Sequence, residues 1–330
     1  MAHIITGCYF QWVISLLTAI LGGAAVSNAP AATISGIETS RVAAVSASAD
    51  DAEKELEKLM EADDEAQAEV DDWIRQNDEF ARRGAATPPA QMRAKIQQRF
   101  EPVRKAYEEF IQRHPRNSKA RIAYASFLGD TKDEDSALDQ LEQALTVDTN
   151  NPAIYNNLAN IYGHIGPVKK AFEYYAKAIQ LNPLEPVYYH NLGTTVYLFR
   201  TDAKEFYGID EAHVFAKAFQ LYSNAMRLDP MNFPLASDVA QSYYGMKPMH
   251  TEEALHAWTN ALQIAHDEIE REGVYLHFAR IKLMAGRYTE AQAHINTVTN
   301  DMYTDLKRRL QRNLNERQNG AKSTNAPPVQ

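Results

Sequence analysis

Residues 152–185 read PAIYNNLANIYGHIGPVKKAFEYYAKAIQLNPLE. Counting from Tyr155, Leu158 and Ala159 follow at three and four residues and Tyr162 at seven. Ala171, Tyr175, Ala178 and Pro183 follow at 16, 20, 23 and 28. Apolar residues at steps of three and four describe an amphipathic helix, and here there are two in succession. Small Ala159, Ala171 and Ala178 let two antiparallel helices approach closely. Tyr155, Leu158, Tyr162 and Tyr175 fill the remaining space, and Pro183 stops the second helix.

The same register extends both ways. Residues 118–151 carry Tyr124, Ala125, Leu128, Ala137, Leu141 and Ala144 at matching offsets. Residues 186–232 carry Tyr189, Leu192, Gly193, Val196, Ala218, Tyr222 and Ala225, with 13 residues too many. Residues 233–268 and 272–305 follow, with Ala236, Ala240, Ala254 and Trp258 in one and Tyr275, Phe278, Ala279 and Ala291 in the other. The pattern W-x₂-L-G-x₂-Y…A-x₃-F…P at a period near 34 resembles the tetratricopeptide repeat (TPR), and about 200 residues share it. The resemblance implies an all-α TPR-type α-solenoid, a right-handed superhelix of antiparallel helix pairs, with about five repeats over 118–305.

Ahead of the repeats the charge is segregated. The chain's net charge is −9, yet residues 50–72 alone hold twelve acidic residues against two lysines. Residues 75–121 hold twelve basic against five acidic. Leu56, Leu59, Asp63, Ala66, Val70, Trp73, Asn77 and Phe80 alternate at three and four residues, a heptad seam with two polar interruptions. Gly84 and Thr87-Pro88-Pro89 end that helix, and Met92, Ile96, Val103, Tyr107 and Phe110 line a second one. Pro102 either kinks it or opens a new helix. Residues 50–117 therefore read as a helical hairpin plus a degenerate half-repeat. Its acidic arm either packs on the basic arm or binds a basic partner.

Residues 1–31 contain no charged side chain, and Trp12–Val26 is an apolar run ahead of Ala29-Pro30-Ala31. This reads as a cleaved signal peptide, with a membrane anchor over residues 9–26 as the alternative. It implies an exported protein, periplasmic or extracellular. Residues 32–49 read as a flexible linker, 306–318 as a capping helix with Leu306, Leu310 and Leu314 on its apolar stripe, and 319–330 as a disordered tail. In the long repeat, helical residues from Thr194 to Tyr207, Gly208 as terminator and Asp210 as N-cap predict two helices each longer by about two turns. Phe206 and Tyr207 at its tip are either a local staple or a contact patch.

Composition and motifs narrow the function. Apolar residues form 45% of the chain, enough for a packed core. One cysteine, Cys8, excludes a disulfide scaffold, and the acidic balance argues against a nucleic-acid partner. There is no phosphate-binding glycine loop, nucleophile elbow or H-E-x-x-H zinc motif, and the histidines lack close-ligand spacing. The reading is a non-enzyme without metal or cofactor: a scaffold for a protein or extended peptide. The alternative is an accessory subunit that positions substrate for a separate envelope enzyme.

The resemblance also implies a binding groove lined by the first helix of each repeat. Its candidates are Asn156, Asn157 and Asn160, then His190, Asn191 and Thr194. Asp238 and Gln241, then His277 and Arg280, continue it. Asn157 and Asn191 stand one period apart and are expected to be exposed as a ladder, since a side-chain amide offers a peptide bond both a donor and an acceptor. Similar asparagines in TPR superhelices such as those of O-linked N-acetylglucosamine transferases hold a peptide backbone.

Overall fold

A computed structural model describes residues 38–324, and among them there are fourteen α-helices and no strand. The signal-peptide and anchor expectations, and residues 325–330 of the tail, lie outside the described residues. The chain divides into two compact units, one ending at Asn182 and the other beginning at Pro183.

The first unit holds α1 (Glu38–Arg82), α2 (Pro89–Arg113), α3 (Ser118–Asp130), α4 (Glu134–Val147), α5 (Pro152–His164) and α6 (Val168–Leu181). The pairs α3/α4 and α5/α6 are two repeats. Their starts are chemically marked: Asn117 accepts the Ala120 N–H, and Asn151 the Ala153 N–H with Pro152 opening the helix. Leu158, Ala159, Ala171, Tyr175 and Ala178 are all fully buried, which is where the repeat register places them.

α1 begins at Glu38, inside the stretch expected as a linker. From Glu38 to Arg82 there is no glycine or proline, and alanine-rich sequence extends a helix at almost no cost. Its seam is buried at Leu56, Leu59, Asp63, Ala66 and Val70, then fades: Trp73 is half-buried beneath Lys95, and Phe80 is 48% exposed. α2 runs as one helix through Pro102, burying Val103, Tyr107, Phe110 and Ile111. Acidic and basic arms lie side by side. Glu69 pairs with Arg99 at 2.6 Å, Glu55 with Arg113, and Glu53 with Lys119 of the first repeat.

The second unit holds α7 (Pro186–Leu198), α8 (Arg200–Tyr207), α9 (Glu211–Leu228), α10 (Phe233–Ser242), α11 (Thr251–Gln263), α12 (Glu268–Met284), α13 (Tyr288–Thr297) and α14 (Thr304–Thr324). Its repeats are α7/α9, α10/α11 and α12/α13. Glu185, Asn232 and Asp267 cap their first helices. Gly193 permits the close crossing of α7 and α9, because a Cβ there would meet the Tyr222 ring at 3.0 Å.

The long repeat corrects one expectation. Its first helix is not two turns longer. It stops at Leu198, the backbone leaves the helical region at Phe199 (ψ 50°), and α8 is a separate helix. At the break Arg200 donates to the Tyr197 carbonyl at 2.7 Å, and its guanidinium lies over the rings of Tyr197 and Phe215. α9, at 18 residues against the 14 of α6, is about one turn longer. Gly208 is left-handed (φ +64°) and Asp210 caps α9 by accepting the His213 N–H at 2.9 Å. Phe206 and Tyr207 are half-buried, their rings 4.8 Å apart edge to face, with Lys217 over Tyr207. This is local packing. α14 reaches Thr324, beyond the expected end at 318. A lone glycine costs about 1 kcal/mol in a helix, too little to stop one, and the next proline is Pro327.

Candidate functional site

The candidate residues all lie on first helices, next to the small residues that the second helix packs against. In the first unit, α5 carries Asn156, Asn157 and Asn160. They are buried, at 2%, 8% and 7% exposure, so the expectation of an open amide ladder fails here. Asn156 donates to the Asn157 side-chain oxygen at 3.2 Å, and the Tyr175 hydroxyl of α6 donates to Asn160 Oδ1 at 2.6 Å. Asn160 thereby joins α5 to α6.

In the second unit Asn191 and Thr194 are likewise buried, at 7% and 8%. The Thr194 hydroxyl meets that of Tyr222 at 3.2 Å. Asn157 and Asn191 thus belong to different units and neither is open. The remaining candidates behave otherwise. His190, Asp238, Gln241, His277 and Arg280 are all half-buried. His190 Nε2 and Asp238 Oδ2 are 2.9 Å apart, joining α7 to α10. On α12 the His277 ring stacks on Trp258 of α11, with centroids 3.8 Å apart and planes 12° off parallel. Its Nδ1 meets the Tyr244 hydroxyl at 3.1 Å. Arg280 lies over the Tyr244 ring at 4.3 Å.

Burial first, and Arg280 second, push His277 down to about 3, so it is a neutral imidazole at physiological pH. Its two nitrogens then offer one donor and one acceptor. Burial pushes the Tyr244 phenol up, with Arg280 opposing, so it keeps its proton. Arg280 has no carboxylate in ion-pair reach among the described residues. The Tyr244 ring braces it.

Tyr244 and Trp258 were not among the sequence candidates. Tyr244 follows Gln241 by three residues, one turn along the same face, which is a readable signal. It sits in the short 3₁₀ turn Tyr243–Gly245. Gly245 lets this turn approach α7, for a Cβ there would meet the Tyr197 hydroxyl at 2.6 Å. Trp258 comes from a second helix, where the repeat register reads it as a core residue and gives no sign that His277 stacks on it.

Among the described residues no group of three or more His, Cys, Asp or Glu side chains is placed to hold a metal ion. No described helix is long and apolar enough to cross a membrane.

The tetratricopeptide-repeat sequence profile matches residues 152–183. PilW, a widely conserved type IV pilus biogenesis factor, superposes with a TM-score of 0.51 at 14% identity, covering 71% of this chain and 94% of PilW. PilF of Pseudomonas aeruginosa gives 0.47 at 17% identity, covering 71% and 91%. YrrB, described as a TPR protein with an unusual peptide-binding site, gives 0.42 at 14% identity, covering 58% and 90%. No curated protein of related sequence is found. The described residues thus have an all-α fold of TPR-type helix pairs, and residues 152–183 match the tetratricopeptide-repeat profile itself.

Proposed function

We propose that this chain is a non-catalytic interaction module whose second unit holds an extended segment of a partner protein along the faces of α7, α10 and α12. The observation that carries the reading is the row His190–Asp238 and Tyr244–His277–Arg280, linked from one first helix to the next by contacts of 2.9 and 3.1 Å. Polar groups held by their neighbours and still half-open are preorganised for a ligand, which lowers the ordering cost of binding. A peptide backbone needs alternating acceptors and donors, and Asp238, Gln241 and neutral His277 supply both. Arg280, braced on a ring and without a carboxylate, suits an acidic side chain of the bound segment. The Asn column contributes by shaping the helices and not by contact.

Residues 1–31 support export, so the partner is sought among envelope or secreted proteins. The test is affinity capture with the full chain, then calorimetry of the captured partner against Asp238→Ala and Arg280→Ala. Each substitution should weaken binding about tenfold or more, the scale of a lost charge-assisted hydrogen bond. Unchanged affinity in both moves the binding surface elsewhere. Capture of one stoichiometric enzyme would instead assign the chain as an accessory subunit.

A further inference from the structure

Where the N-terminal hairpin meets the first repeat, one amide serves two carboxylates. Gln67 Nε2, on α1, donates to Asp63 Oδ1 of the same helix at 3.0 Å and to Asp130 Oδ2 at the end of α3 at 3.2 Å. Tyr107 of α2 donates its hydroxyl to Asp63 Oδ2 at 2.9 Å. Asp63 and Tyr107 are buried, while Gln67 and Asp130 are half-buried. Neither aspartate has an ion pair among the described residues. An ionised carboxylate has about four acceptor positions, and among the described residues Asp63 has two side-chain donors and Asp130 one.

The other charged groups facing them sharpen the imbalance. Asp64 and Asp71 add negative charge from α1. Lys132, in the turn after α3, opposes them at Asp130. Burial raises both aspartates. It pushes Asp130 up to about 6, with Asp63 and Asp71 adding and Gln67 and Lys132 opposing.

We propose that Asp63, Gln67 and Asp130 form a proton-operated latch that holds the N-terminal hairpin on the first repeat more firmly at mildly acidic pH than at neutral pH. The sign follows from linkage. An acid whose affinity for protons rises on docking binds more protons docked than released, so docking weakens as pH rises through its docked pKa. The gain saturates once the released form also protonates, near the ordinary aspartate range. The Glu55–Arg113 pair within the hairpin persists over this range, because the Arg113 hydrogen bond holds the Glu55 carboxyl below its ordinary value.

The test is hydrogen exchange by mass spectrometry on the full chain at pH 5.0 and 7.5, corrected for intrinsic exchange. Peptides from 56–70 should be about tenfold more protected at pH 5.0, the factor for one acid shifted from 3.8 to about 6. Peptides from α12 serve as the reference and should not change. Asp130→Asn should raise protection at pH 7.5 and remove most of the pH dependence. Equal protection of the unsubstituted protein at the two pH values, or undiminished pH dependence in Asp130→Asn, overturns the latch. Should Asp130→Asn not fold, a carboxyl-carbon NMR titration of the unsubstituted protein decides alone. An aspartate titrating near pH 6 supports the proposal and its absence refutes it.

Discussion

Whether Asn160 belongs to the packing or to a ligand can be decided by a double-mutant cycle with Tyr175. The Tyr175 hydroxyl is fully buried and donates to Asn160 Oδ1 at 2.6 Å. Tyr175→Phe removes the donor from a buried oxygen and should cost about 1–2 kcal/mol. Asn160→Ala takes this acceptor from a buried hydroxyl, at about 1–3 kcal/mol, offset by roughly half a kcal/mol of alanine's better helix propensity. The double variant leaves neither group stranded, so its cost should fall short of the sum by about 1–2 kcal/mol. Because the chain has two units, a single melting temperature is not a clean reading. Native-state hydrogen exchange of peptides from 152–181 reads the first unit by itself. Additive costs with no coupling would refute the hydrogen bond, and would return Asn160 to the open face where a ligand could reach it.

Two further expectations are simpler. Gly208→Ala should destabilise the second unit by about 1 kcal/mol, because φ +64° is a left-handed conformation that a Cβ penalises; unchanged exchange of the α8 and α9 amides would count against it. Glu272 is buried and accepts the Thr299 N–H, the Thr299 hydroxyl and the Asn300 N–H, each at 2.8 Å, and these bonds outweigh desolvation to hold its pKa below the ordinary value. A depressed acid contributes stability above its released pKa and loses it as pH falls through the docked one. The turn after α13 should therefore loosen in acid below about pH 4.5, and Glu272→Gln should loosen it at neutral pH and flatten that dependence.

Much of this architecture could be read from local chemistry. Asn117, Asn151 and Asn232 announce helix starts because a short side-chain acceptor before a helix has one efficient use. Asp210 was readable for the same reason, and Gly208 because a residue without a Cβ readily ends a helix in the left-handed region. The break at Phe199 was not: no glycine or proline marks it, and the rings of α7 and α9 over which Arg200 lies there meet only in the fold. The candidate face was half readable. Periodicity tells which side of α5 carries Asn156, Asn157 and Asn160, but not that α6 brings Tyr175 against it. The His277 cluster shows the same limit: Trp258 lies 19 residues before His277, on a different helix, and only tertiary packing stacks the two.

The segregated charge takes on a more definite role once the hairpin is seen docked. Its ion pairs, Glu55–Arg113, Glu53–Lys119 and Glu69–Arg99, sit at the rim with partly exposed side chains. Such pairs contribute little to stability and weaken with salt. Leu56, Leu59, Ala66 and Val70 are buried beneath them, and at ~25 cal/mol per Å² apolar burial outweighs the rim and is not screened. Added salt should therefore trim the docking and not release it. The aspartates respond to a different variable. They lie inside the rim, where screening is weak and burial makes charge costly, so proton concentration acts where ionic strength does not. Rim pairs set the register of the two arms, the apolar seam supplies the adhesion, and Asp63 and Asp130 leave the junction adjustable.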